Sequence, residues 1–170
     1  MRCFFRIGIV LFSIPAILGF GEAGRTGSNH ELLVYSLLFG LFLIQVGLVG
    51  YWRYESSKLW RVSLLILWTG IPFLMISQFV SLLDLANEVE QNVLSQHGIL
   101  LPIGILSLGF PVGLMLWGYA INRELTFLGI GLSISALVMV TGLLITPMIH
   151  HSGIILVSIC LYGVSNRLFQ

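Results

Sequence analysis

The chain has 170 residues, 57% of them hydrophobic and 9% charged, with a formal net charge of +1 and a mean hydropathy of +1.01. Soluble domains carry roughly a quarter charged residues, so a water-soluble core is excluded. A balance this close to neutral also argues against nucleic acid or acidic substrates as partners.

The apolar residues fall in runs of about 17 to 25, each long enough to cross a hydrocarbon layer about 30 Å thick as a helix. They are continuous rather than alternating, which excludes a β-barrel. Inside lipid the backbone must satisfy its own hydrogen bonds, and helices do so. The predicted fold class is therefore all-α, an integral membrane bundle of six transmembrane helices. It forms one domain over residues 1–170, with spans at about 4–20, 32–51, 62–83, 99–120, 125–147 and 152–168.

The first span sits in "MRCFFRIGIVLFSIPAILGFGEAG", which has the layout of a secretory signal: a basic start, an apolar centre, and Gly19 and Gly21 spaced for cleavage. Its apolar stretch is long for that role, and a retained first helix is the preferred reading. Cys3 and Cys160 lie far apart and imply no disulfide framework. Cys3 is suited to palmitoylation by its place beside an apolar helix, although an ordinary buried thiol is the simpler reading.

The loop before span two ends in Ser28-Asn29-His30-Glu31, a capping box in which Ser28 and Glu31 satisfy each other's backbone N–H groups. Between spans two and three, "WRYESSKLWR" sets Trp52, Tyr54 and Trp60 at the headgroup level, where amphipathic rings prefer to sit. Pro72, deep in span three, is expected to kink it. In the following "LLDLANEVEQNVLSQHG", Leu82, Leu85, Ala86, Val89 and Val93 recur at helical spacing, as an interfacial helix or an extension of span three. Gly98 breaks this segment, and Pro102 is tolerated near the start of span four.

Span four carries Pro111, a second expected kink, together with the pair Gly109 and Gly113; span five carries Gly131 and Ser135. Small residues four apart let helix backbones approach closely. A three-plus-three division into inverted halves has in its favour only a faint likeness between "IPAILGFG" and "LPIGILSLGF".

Basic residues set the orientation. With the N-terminus cytoplasmic, Arg2, Arg6, Arg53, Lys58, Arg61, Arg123 and Arg167 all fall inside, leaving Arg25 alone outside. Both termini are thus predicted to be cytoplasmic, in a plasma membrane.

No ionisable residue lies near the middle of a span, which argues against a proton-coupled transporter. There is no P-loop, G-x-G-x-x-G, C-x-x-C or H-E-x-x-H, so nucleotide and zincin chemistry lack support. The deep polar groups are Gln45, Thr69, Gln78, Ser133, Ser135 and Thr141. They read first as interhelical hydrogen-bonding groups, with Gln45 and Gln78 as the candidates for an intramembrane polar path.

The predicted orientation brings His30, His97, His150 and His151 to the outer face, with Glu22, Glu31, Asp84, Glu88 and Glu90. Imidazole is a common ligand for zinc and copper, and carboxylates can complete such a site. A bis-histidine haem fits less well, because these histidines lie at helix ends. His150 and His151 can share a metal only if the Pro147 to Gly153 turn is not helical, since helical neighbours point about 100° apart.

Three functions follow from these residues. The first is a non-catalytic subunit or assembly component whose partners are the lipid bilayer and other membrane helices. The second is a histidine site for a transition metal, copper or zinc, or for haem, at the outer face. The third is a carrier or channel for a neutral or apolar solute, built on Gln45, Gln78, Pro72 and Pro111.

Overall fold

The structure, a computed structural model, describes the backbone of residues 1–18, 28–52, 57–85, 98 and 100–168, and the side chains of these except at 28–31, 81–85, 100, 143, 144 and 147. Its helices are α1 (Arg2–Leu18), α2 (Ser28–Tyr51), α3 (Lys58–Leu85), α4 (Leu100–Ser107), α5 (Gly109–Ile121), α6 (Thr126–Ile145) and α7 (Pro147–Leu168). The described residues contain no strand.

Helices α4 and α5 are the two halves of the predicted fourth span, so the described residues form six helical rods. The break falls at Leu108, whose N–H turns to the Ile105 carbonyl at 3.2 Å, a tight i to i−3 step. Its cause is Pro111, which offers no N–H to the Ser107 carbonyl and crowds it with its ring. Pro72 has no such effect on the helix assignment, and α3 runs through it unbroken.

Among the described residues, four stretches are long and apolar enough to cross a membrane: Leu32–Tyr51, Lys58–Val80, Leu101–Ile121 and Met148–Leu168. Thr126–Gly142 is a shorter apolar helix. Helix α1, 17 residues long, packs among them and buries Phe5, Ile9, Phe12 and Ala16.

Helices adjacent in sequence pack together, and α1 closes the circuit against α7. The contacts are uneven. Helix α1 lies broadly along α2, α3 along α4 and α5, and α6 along α7, whereas the α2–α3 and α1–α7 seams are thin. The bundle therefore divides two plus four, a hairpin of α1 and α2 set against the remaining helices.

Glycine governs the closest crossings. A Cβ on Gly70 would stand 2.2 Å from the Phe110 backbone nitrogen, and one on Gly113 would stand 2.5 Å from the Leu67 backbone. The predicted Gly109 and Gly113 pair thus marks where α5 meets α3. The Gly131 and Ser135 pair is different: a Cβ on Gly131 would meet only the Cys160 side chain, at 3.0 Å.

One end of the bundle is filled by aromatic rings. Tyr51 lies edge-on to Phe5 and to Trp117, with centroids 4.9 and 5.2 Å apart, and Trp60 stacks edge-on against Trp117 at 5.7 Å. The Trp60 indole N–H donates to the Tyr51 carbonyl at 3.1 Å. Of the predicted headgroup belt, Trp52 is 43% exposed but Trp60 is fully buried; its ring fills the core because α3 turns that face inward. Tyr54 lies outside the described residues. Cys3, read from sequence as a buried thiol, is exposed on α1.

Arg6 ties α1 to α7 at this same end. Its guanidinium donates to Ser165 Oγ at 3.2 Å and to Asn166 Oδ1, and lies 5.5 Å from the Tyr162 ring centroid.

Candidate functional site

The end opposite the aromatic cluster is built around the α6–α7 turn, which is one residue long. Thr146 is extended, with φ −151° and ψ 146°, as expected of a residue before proline. Pro147 then opens α7, where its fixed φ suits a first helical position. Thr146 Oγ1 accepts the Ile149 backbone N–H at 3.4 Å and caps the new helix.

His150 and His151 consequently lie in the first turn of α7, not in the interhelical turn expected from sequence. The segment is helical, so the condition for these two neighbours to share one metal is not met. Their ring centroids are 6.1 Å apart and the planes tilt by 54°.

The two helices here are unusually close. A Cβ on Gly142 would stand 2.2 Å from the His150 nitrogen, and one on Gly153 would stand 2.4 Å from the Met139 nitrogen. This approach lets the His150 ring reach the neighbouring backbone: Nδ1 lies 2.8 Å from the Met139 carbonyl oxygen. A carbonyl can only accept, so Nδ1 carries the proton, and in the neutral ring Nε2 is left as a lone pair.

His150 lines two cavities of about 270 and 170 Å³, which share Phe12, Leu37, Gln78 and Ile154 as walls. His151 lines the larger alone, and Ser77, Ser107 and Pro111 line the smaller. Phe12 and Phe110, edge-on at 5.7 Å, lie beside the smaller cavity. Together the cavities form a cleft between the α1–α2 hairpin, which supplies Phe12, Pro15 and Leu37, and the four-helix unit, which supplies Gln78 and His150. Neither the Gln78 amide nor His150 Nε2 has a hydrogen-bond partner among the described residues, and both residues line the cleft together with apolar side chains and the polar His151, Ser77 and Ser107.

The predicted site residues separate. Gln45 donates to the Trp68 carbonyl at 3.2 Å, joining α2 to α3, and lines none of these cavities. Trp68 and Gln78 are ten residues apart on α3, about 15 Å along its axis, so the two glutamines do not meet. Ser133 joins α6 to α5 through the Met115 carbonyl at 3.0 Å. Thr69, Ser135 and Thr141 return their hydroxyls to carbonyls of their own helices.

His97 lies outside the described residues, as does the side chain of His30. Among the described residues, no three His, Cys, Asp or Glu side chains are placed to hold a metal ion. Sequence reasoning missed Gly142 and Gly153, whose signal was their position either side of "TPMIHHS".

No known protein-family model, curated protein or solved structure matches this chain.

Proposed function

We propose that this chain is a six-pass membrane protein that binds a small uncharged solute in the cleft at its histidine end and carries it. One observation supports this above all. Gln78 and His150 bring polar groups without partners among the described residues to a cleft walled mainly by apolar side chains, the arrangement by which small-molecule sites fix orientation. Gln78 supplies both a donor and an acceptor, and His150, whose Nδ1–H is taken by the Met139 carbonyl, has Nε2 left to offer. The solute is therefore one with a hydroxyl or amide that can donate to imidazole.

Purified protein in liposomes tests this with a panel of neutral solutes. The expected result is flux of at least one, reduced in Gln78→Leu at equal incorporation. No flux across a broad panel would overturn it.

In this reading α1 and α6 cross the membrane with the four longer helices. The charge rule puts both termini in the cytoplasm and opens the cleft outward across a plasma membrane. A cysteine introduced at Asn87 should then label from outside and one at Ser57 should not.

A second reading, a non-catalytic subunit, draws on the surface groove of about 160 Å³ over Gly118, Gly129 and Ser133. There another helix would find small residues to pack on. Stoichiometric co-purification of another membrane chain after mild solubilisation would favour it over the carrier.

A further inference from the structure

A different cavity lies at the basic end of the molecule, away from the histidine cleft. It has a volume of about 280 Å³ and is formed where the start of α3 meets the turn between α5 and α6. Its polar walls are Ser57, Asn122 and Arg123. We propose that it binds a phosphate ester, the headgroup of an anionic phospholipid.

The chemistry of each wall points to that class. Arg123 is exposed and makes no ion pair or hydrogen bond with other described residues, which leaves a planar guanidinium available to a phosphate. Ser57 Oγ already accepts the Trp60 backbone N–H at 3.2 Å, so its own hydrogen remains to be donated, again to an anionic oxygen. Asn122 also lines the cavity, but its Oδ1 is closed off from solvent and has no partner among the described residues, so the phosphate is met by Arg123 and Ser57.

The setting agrees with this ligand. Tyr119, 70% exposed, stands at the cavity rim, the place of an aromatic ring at headgroup level. Lys58 and Arg61 lie in the first turn of α3, which supplies Leu59 to the cavity, and with Arg123 they outnumber the one described carboxylate there, the exposed Glu124. Basic pockets between membrane helices are suited to anionic headgroups.

The decisive experiment compares lipid retained by detergent-purified protein, quantified by mass spectrometry, after reconstitution into phosphatidylcholine nanodiscs with or without a minor fraction of phosphatidylglycerol. The parent should enrich phosphatidylglycerol over phosphatidylcholine, and Arg123→Gln should lose about fivefold of that enrichment, while Arg167→Gln, with its charge outside the cavity, should keep it. Equal enrichment in the parent and Arg123→Gln, or equal loss in both variants, would overturn the site. Inorganic phosphate is the second probe. If it raises the melting temperature in phosphatidylcholine nanodiscs and phosphatidylglycerol does not, the site stands but its phosphate is soluble; if neither ligand binds, the proposal fails.

Discussion

His150 on α7 holds its Nδ1 2.8 Å from the main-chain oxygen of Met139 on α6. That bond fixes which ring nitrogen is protonated, on a residue that lines the cleft. It depends on two glycines, because neither Gly142 nor Gly153 has room for a side chain against the opposing backbone.

Gly142→Ala and Gly153→Ala should each lower stability by about 1–3 kcal/mol, since a methyl group would be forced into main-chain atoms. Gly104 is the control. A Cβ there meets nothing within 4 Å, so Gly104→Ala should be neutral or stabilising by up to about 1 kcal/mol through helix propensity. Thermal unfolding in one detergent measures all three.

The two glutamines should behave in opposite ways. Gln45→Leu removes the hydrogen bond to Trp68 and should cost about 0.6 kcal/mol, the usual size of such a bond in a membrane protein. Gln78→Leu removes no internal bond, so stability should hold while solute binding falls about fivefold or more. The paired measurement is unfolding together with flux, and a larger stability loss at Gln78 than at Gln45 would contradict the assignment.

His150 and His151 should also divide. His150→Ala loses the bond to Met139, worth about 1 kcal/mol, and the acceptor in the cleft, whereas His151→Ala leaves both in place. Elemental analysis separates a solute cleft from a copper, zinc or haem site. Parent protein purified without chelators and the His97/His150/His151→Ala variant should carry the same, negligible metal; near-stoichiometric metal in the parent alone would refute the solute reading.

At the aromatic end, Trp117→Ala should destabilise by about 3–5 kcal/mol, as expected for a fully buried indole. Trp60→Phe should cost less, about 1 kcal/mol, by giving up the bond to the Tyr51 carbonyl. Unfolding midpoints in the same detergent rank the two.

Hydropathy made the helical rods legible, because length and apolarity are local properties of sequence. The left-handed Gly98, with φ +65°, was legible from glycine chemistry for the same reason, whereas the side chains of the Ser28 to Glu31 capping box lie outside the described residues. Which face of a rod points inward was not. Trp60 has the amphipathic chemistry of an interfacial ring, and only the packing of α3 against Trp117 assigns it to the core. Gln45 and Gln78 are likewise equivalent in a sequence of apolar neighbours, and they part company only because one reaches a carbonyl on an adjacent helix. The histidine turn was misplaced because Pro147 was read as the end of a span, although a proline equally well begins the next helix.

The thin seams around the α1–α2 hairpin have a mechanical consequence. Polar ties from it to the other helices run from Arg6 to Ser165 and Asn166, from Gln45 to Trp68, and from Tyr51 to Trp60. These lie at the basic end or midway, whereas the far end of the hairpin lines the cleft. That makes the hairpin a lever with its fulcrum at the aromatic cluster. Pro15 lies nine residues from Arg6, about 14 Å along α1, so a tilt of about 5° about Arg6 would swing it by roughly 1 Å, narrowing or widening the cleft mouth while every tie at the fulcrum stays made.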